Sequence, residues 1–436
     1  MSELLFSDRE TIERVQQQNF AEMRELAAQR HPHYGPLLQG IRTLEDLPHL
    51  PVTGKDAFMR EPERFVLDSE GLPEEMRVVW DTMYTTGSTT GRPTPFVSTA
   101  FDFYRILELH RNMMRLRRVA PDDVIANLFP LTRQPHGAFI RVLHAAAAMN
   151  LRVVSALPGD PSPYFTLGNR TDEVVRIVER SRATILWGVP SYVRRVLARG
   201  EELGADLSSL RLAFVTGEGV SDAARKELTD TLRRVGRADA WVSISYGSTE
   251  TQGGLVECAP GSGFHNPAPD QFFIEVVDRD SHAPLPDGET GLVLLTHLRR
   301  RGTVLLRYAL GDLSALSRER CPHCGAWTDR LVRTPQRADA LLKIKGTLVN
   351  PAVMVEAAES ALAGREFQFC IRKDEKTAAD LLLLTVSGTS DLALAIRVAE
   401  AVKSATGVTP SVAFVEEIAQ ARGAWKLKRV VDERGR

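Results

Sequence analysis

The chain has 436 residues, beyond the size at which a single hydrophobic core keeps growing, so at least two domains are expected. Hydrophobic residues make up 43% and charged residues 25%, and the formal net charge of -1 removes any electrostatic reason to expect nucleic acid or an anionic membrane as partner. Four cysteines do not make a disulfide scaffold, residues 1–10 carry no secretory pattern, and no apolar run reaches the ~18 residues of a spanning helix. A cytoplasmic enzyme is the expectation.

Taken in chain order, residues 8–30 have the apolar spacing of a surface helix, and 47–55 form a proline-punctuated connector. Short β-rich runs follow at 124–129, 152–155, 184–187, 212–215 and 241–245, with amphipathic stretches at 172–180 and 221–234 between them. Strands spaced by helices imply a largely parallel sheet covered by helices. Past Glu257 the pattern turns to hairpin strands, including 272–277 and 291–295. A new α+β unit begins near Leu341, with a strand over 381–386 and a helix over 391–404. The boundary falls near 337–340, giving an expected division into domains 1–338 and 339–436. The short cluster Arg299-Arg300-Arg301 reads as a solvated face.

Three segments carry chemistry. Thr85-Thr86-Gly87-Ser88-Thr89-Thr90-Gly91-Arg92-Pro93 concentrates hydroxyls and glycines in a loop suited to wrapping an oxyanion. It lacks the Lys-Ser/Thr pair of the common phosphate loop, and Gly217-Glu218-Gly219 lacks the third glycine of a dinucleotide fingerprint. Ser245-Tyr246-Gly247-Ser248-Thr249-Glu250 follows a strand, at the carboxyl end where open α/β sheets bind ligands. Cys321-Pro322-His323-Cys324 has the spacing of a metal knuckle, and Cys258 and His265 lie upstream. Three thiolates and one imidazole suit a closed, structural zinc site, with His323 as an alternative fourth ligand. Cys370 stands on an apolar run and reads as a buried core residue.

In order, TTGSTTGRP, SYGSTE, Arg307-Tyr308-Ala309-Leu310-Gly311-Asp312, Arg337-Ala338-Asp339-Ala340 with its following glycine, and a lysine near the C-terminus resemble the adenylate-forming superfamily. Within it the chain looks like the phenylacetate–CoA ligase family, over nearly its whole length. The resemblance implies a large α/β adenylation domain with parallel sheets and a β-rich subdomain, followed by a small, mobile α+β C-terminal domain. It implies that Thr86, Gly87, Ser88, Thr89, Thr90 and Gly91 clamp the β- and γ-phosphates of ATP. Tyr246 and Gly247 would bind adenine, Thr249 the α-phosphate, and Glu250 Mg²⁺. Asp312 would take the ribose hydroxyls and Arg337 the ribose or phosphates. Lys426, with Lys428 as rival, would bridge the acyl carboxylate and α-phosphate. Asp339 would be the hinge. The family also pairs a Cys/His couple with the CxxC segment, matching Cys258, His265, Cys321 and Cys324.

The acid pocket implied by the resemblance includes Phe139, Trp187, Ser191, Tyr192, Glu218 and Ser245. Core packing explains most of these residues equally well. The activity implied is ATP-dependent, AMP-forming ligation of an aryl or arylacetic acid, with coenzyme A as acceptor. Gln336, Lys345 and Asn350 depart from the family's usual residues, so a carrier-protein thiol or an amine is a second acceptor class. A non-catalytic nucleotide- and zinc-binding regulator is the rival from another class, and a homodimer is allowed.

Overall fold

The computed structural model describes residues 4–85, 93–131, 137–159, 168–338, 342–345, 347–373, 380–418 and 427–434. The chain gathers into two compact units. One comprises Met1–Asn127, Leu131–Ser155 and Ser243–Ala338, and the other Leu128–Pro130, Ala156–Val242 and Asp339–Arg436. Both mix helices with sheet.

In the first unit, helix Arg9–Arg30 starts where the Asp8 carboxylate accepts the Thr11 N–H at 2.8 Å. It buries Ile12, Phe20, Met23 and Ala27 at helical spacing. Helix Ala100–Leu116 opens on a reciprocal cap, the Thr99 hydroxyl accepting from Asp102 N–H and the Asp102 carboxylate from Thr99 N–H. Strands Val124–Asn127 and Arg152–Ser155 pair in parallel on either side of helix Gly137–Met149 in the sequence, as the strand–helix alternation requires.

The strands that follow in this unit pair antiparallel. Phe272–Val277 pairs with Thr290–His297, and that strand pairs with Tyr308–Ser317. Tyr308–Ser317 also receives the two short strands Arg330–Leu331 and Gln336–Arg337. Trp241–Ser248 pairs with Gly253–Val256 in antiparallel register, Gly247 opposite Gly254. A Cβ at Gly247 would stand 2.4 Å from the Gly253 carbonyl oxygen, so the motif glycine is required by backbone approach.

In the second unit, Ile185–Gly188 and Leu212–Val215 are buried along their whole length and pair in parallel. Helix Pro190–Glu202 has proline in its first turn, and Ser221 caps helix Asp222–Val235 by accepting from Ala224 N–H. The C-terminal part is a four-stranded sheet whose order, by range, is Ser411–Val415, Asp380–Ser387, Phe367–Lys373 and Val430–Asp432. Helices Pro351–Leu362 and Leu392–Thr406 pack with it around a core that includes Met354, Phe367, Phe369, Leu384 and Val398.

Two expectations are corrected. Arg300 is not on a solvated face. It is 5% exposed, lies over the Phe96 ring at 4.4 Å, and donates to the carbonyls of Thr303 and Val97 and to Ser98 Oγ. Carbonyl dipoles and an aromatic face replace water around it. Cys370 is half-buried rather than core, because the alternation of its strand turns Phe369 and Ile371 inward and leaves the Cys370 thiol donating to Glu433 Oε2 at 3.3 Å.

Arg307 shows what such burial does. At 2% exposure it donates to the carbonyls of Pro48, Leu50 and His282, and pairs with the buried Glu275 at 3.4 Å. The guanidinium thereby ties the 48–50 connector to the entry of the Tyr308–Ser317 strand. Arg307→Met should destabilise the protein in urea unfolding by about 3 kcal/mol, because Glu275 would be left buried without its cation. A loss below about 1 kcal/mol would show that water replaces the brace.

Candidate active site and metal cluster

The SYGSTE segment is folded by its own short side chains. Thr251 Oγ1 accepts from Ser248 N–H at 3.2 Å and lies within hydrogen-bond distance of the carbonyls of Ser248 and Gly253. Gln252 N–H closes the turn onto the Thr249 carbonyl at 3.2 Å. This turn carries Thr249 and Glu250 at the end of the Trp241–Ser248 strand.

Glu250 is 7% exposed, and its Oε1 accepts from Tyr308 OH at 3.1 Å. Asp312, 9% exposed, accepts from Tyr246 OH at 2.7 Å. Each motif thus lends a phenol to the other's carboxylate, at the same spacing of four residues: Tyr246 with Glu250 in one, Tyr308 with Asp312 in the other. Burial, then the facing carboxylates, push both phenols well above their ordinary range. They are donors at any physiological pH. Arg337 reaches Asp312 Oδ1 at 3.5 Å and the Leu310 carbonyl at 3.2 Å, and Asp312 and Arg337 are register partners. Two Asp312 oxygens with protein partners still leave lone pairs for two further donors.

His297, wholly enclosed, fixes Glu250 from behind. Its Nδ1 accepts from Leu305 N–H at 3.0 Å, so Nε2 bears the proton and donates to the Glu250 carbonyl at 3.0 Å. Burial, with the Arg300 charge nearby, holds the imidazole down to about 3, and it stays neutral. No motif pointed to His297. Tyr308 lay inside a quoted motif, but its partner is 58 residues away in sequence.

The other expected site residues fall as follows. Thr86, Gly87, Ser88, Thr89, Thr90, Gly91, Asp339 and Lys426 lie outside the described residues. Flanking the first group, Thr85 N–H donates to the Thr94 carbonyl at 3.0 Å, and Thr94 N–H to Thr85 Oγ1 at 2.9 Å. In the first unit, Phe139 is half-buried near the start of helix Gly137–Met149. Ser245 is buried and takes a hydrogen bond from Arg117, a wholly enclosed guanidinium that also donates to Ser243 Oγ at 2.9 Å.

In the second unit, Trp187 packs edge-on to Phe214 at 5.4 Å. Ser191 donates to Glu218 through Oγ at 2.9 Å and N–H at 3.1 Å, and Arg195 lies over the Tyr192 ring. Glu218 Oε1 also accepts Leu427 N–H at 3.2 Å, beside Lys426 in sequence. Its carboxylate is therefore engaged by protein donors. Lys428, the rival lysine, is exposed. Asn350 has a local job: its Oδ1 caps helix Pro351–Leu362 by accepting Ala352 N–H at 2.9 Å.

Cys258, His265, Cys321 and Cys324 converge, with one ligand atom from each lying within 4.8 Å of the others. Cys258 Sγ and Cys321 Sγ are 3.7 Å apart, as are Cys324 Sγ and His265 Nε2. A tetrahedral ion with about 2.3 Å metal–sulfur and about 2.0 Å metal–nitrogen bonds sets such separations at about 3.5–3.8 Å. His265 Nδ1 meets Thr328 Oγ1 at 3.1 Å, which orients the ring with Nε2 toward the thiols. His323 is not among the converging groups.

Comparison with known proteins fits this geometry. Residues 73–298, more than half of the chain, match the AMP-binding enzyme family. The chain belongs to that family. It is similar to phenylacetate-coenzyme A ligase of Thermus thermophilus, 27% identical over 98% of this chain and 97% of the relative. It is also similar to the phenylacetate-coenzyme A ligase of Escherichia coli, 26% identical over 72% of this chain and 67% of the relative. Among solved structures, 2-hydroxyisobutyryl-CoA ligase in complex with 2-HIB-AMP superposes with a TM-score of 0.79, at 20% identity over 99% of this chain and 91% of the other. This is an adenylate-forming fold of the phenylacetate–CoA ligase kind.

Asp312 supplies a test of the electrostatics. Burial is the first cause and raises its carboxyl above the ordinary value, against the pull of Arg337 and Tyr246. A raised folded-state value means a penalty absent below the unfolded pKa and imposed as pH climbs through the folded one. Relative to the parent, Asp312→Asn should therefore gain melting temperature as pH is raised from about 4 to 7. A difference independent of pH would show that the carboxylate carries no such burden.

Proposed function

We propose that this chain is an ATP-dependent, AMP-forming acid–thiol ligase acting on an aryl or arylacetic acid, with coenzyme A as acceptor. The observation that carries the reading is the reciprocal Tyr246–Asp312 and Tyr308–Glu250 pairing at a strand end in an AMP-binding enzyme, with a phenylacetate-coenzyme A ligase as a relative along nearly the whole chain. An acid carboxylate oxygen attacks the α-phosphorus of ATP, forming acyl-AMP as pyrophosphate leaves. The acceptor thiol then attacks the acyl carbonyl, forming the thioester and releasing AMP.

In this reading the 86–91 loop holds the β- and γ-phosphates, and Tyr246 and Gly247 hold adenine. Thr249 contacts the α-phosphate, while Asp312 and Arg337 bind ribose. Lys426 neutralises the approach of two anions. Glu250 would hold Mg²⁺, whose preference for carboxylate oxygen it fits; the cation supplies charge neutralisation on the departing phosphates. Domains 1–338 and 339–436 would alternate about Asp339 between the two half-reactions. A cytoplasmic setting is part of the proposal; among the described residues no helix is long and apolar enough to cross a membrane. Gln336, Lys345 and the helix-capping Asn350 keep a carrier-protein thiol or an amine as second acceptor, and mass detection of the product decides between them.

Pyrophosphate release with a panel of acids tests the reading directly. Glu250→Gln should lose at least about tenfold in kcat with a smaller change in ATP KM, since the charge it helps neutralise grows during bond cleavage. Parent-rate release by that variant would move the magnesium role elsewhere. Lys426→Ala should abolish acyl-AMP formation yet still consume supplied acyl-AMP, whereas Asp339→Pro should spare adenylation and cripple transfer. Equal loss of both steps in each variant would refute domain alternation.

Cys258, His265, Cys321 and Cys324 would hold one structural zinc, a closed site with no open coordination position. Elemental analysis should give one equivalent per chain, lost in Cys321→Ser together with several degrees of melting temperature. A parent protein free of zinc, or an unaltered Cys321→Ser, would refute the site.

A further inference from the structure

The turn that presents Thr249 and Glu250 is held by more than its own backbone. Gln252, 4% exposed, has φ of 55°, a left-handed conformation that costs a non-glycine residue about 1–2 kcal/mol. What holds it there is its side chain. Gln252 Nε2 donates to the Thr249 carbonyl at 2.5 Å, and Gln252 Oε1 accepts from the Arg141 guanidinium. A guanidinium has only donors, so the amide must face it with oxygen and offer its nitrogen to the carbonyl. One residue on, His297 Nε2 fixes the Glu250 carbonyl. Both carbonyls of the Thr249–Glu250 pair are thus anchored by buried side chains.

Arg141 is an expensive anchor. It is 6% exposed, rises from helix Gly137–Met149, and its two hydrogen-bonded groups meet neutral partners: Gln252 Oε1, and His144 Nδ1 at 2.9 Å. Its Nε is buried without a partner. Of the charged groups around it, Asp81 favours the guanidinium and Arg300 opposes it; His144 is held neutral, down to about 4, by burial and by Arg141 itself. Burying a cation against neutral groups costs several kcal/mol that an apolar side chain would not. The fold keeps that cost at a point where the interaction ends on the Thr249 carbonyl.

We infer that Arg141 and Gln252 form a clamp that positions Thr249 and Glu250 for adenylation, acting on the reaction through the turn without touching substrate. The inference rests on the ligase reading above. Helix Gly137–Met149 also carries Phe139, a candidate acid-pocket residue, so the clamp ties an element assigned to the acid to the turn assigned to the phosphates.

The decisive variant is Gln252→Glu. It keeps an acceptor for Arg141, now as an ion pair, but removes the donor to Thr249 and sets a carboxylate against that carbonyl. Pyrophosphate release from MgATP would be measured with phenylacetate and with benzoate, 2-hydroxyisobutyrate and acetate as comparison acids. Gln252→Glu should melt no lower than the parent while kcat falls about 10- to 100-fold, and ATP KM should move less than about threefold, as misplacement of a reacting group predicts. Arg141→Met should lose kcat similarly, and Arg141→Lys, which retains one donor, should recover part of it. If Arg141→Met does not fold, Gln252→Glu and Arg141→Lys carry the test.

Parent-level kcat in Gln252→Glu overturns the clamp, as does a kcat loss that merely follows a lowered melting temperature in every variant. A parent that releases no pyrophosphate with any of these acids overturns the ligase reading and the clamp together. An active parent with an equally active Gln252→Glu overturns the clamp alone.

Discussion

The site depends on one exchange of hydrogen bonds. Tyr246 donates a hydrogen bond to Asp312 and Tyr308 donates one to Glu250, so each of the two buried carboxylates finds a phenol from the other's motif, with Arg337 beside Asp312 as well. A buried carboxylate without a donor is among the costliest groups a protein can hold, whereas a phenol raised far above its ordinary pKa by its surroundings never competes for the negative charge. The antiparallel pairing of Thr290–His297 with Tyr308–Ser317 brings in His297 and Tyr308, and the Trp241–Ser248 strand brings in the turn. Sheet register and side-chain chemistry therefore specify the same arrangement.

Much of this was legible in the sequence because the signals are local. Strands 152–155, 212–215 and 272–277 were placed to the residue, since β-branched or apolar runs bounded by polar breaks have few other uses. The helix expected at 221–234 begins one residue later, because Ser221 is its cap and not its first turn. The convergence of Cys258, His265, Cys321 and Cys324 was legible from the CxxC spacing together with the resemblance.

What stayed hidden was long-range. Composition cannot distinguish an arginine on the surface from one whose solvent has been replaced by carbonyl or hydroxyl oxygens of the protein, and Arg117, Arg300 and Arg307 are of the second kind. Their partners lie far away in sequence: Ser243 for Arg117, Val97 for Arg300, Pro48 for Arg307. The partners of Glu218 were equally out of reach of a sequence reading: its carboxylate accepts from Ser191 and from the backbone of Leu427, 209 residues away. A positive φ at Gln252 has no sequence signature at all, because glutamine is not a residue that favours it.

The Cys258–Cys324 cluster has a consequence for how the chain reaches this state. Its four residues bracket the strands Phe272–Val277, Thr290–His297 and Tyr308–Ser317, so the proposed zinc, in joining them, would close a ring around the segment that supplies Tyr308 and Asp312. In polymer terms, closing a loop of that length costs about 4 kcal/mol of chain entropy, only slowly dependent on its contour. On a growing chain such a ring would stay open until Cys324 had been made. Of the three cysteines in the cluster Cys324 is the last made, and it would set the moment at which that ring can close.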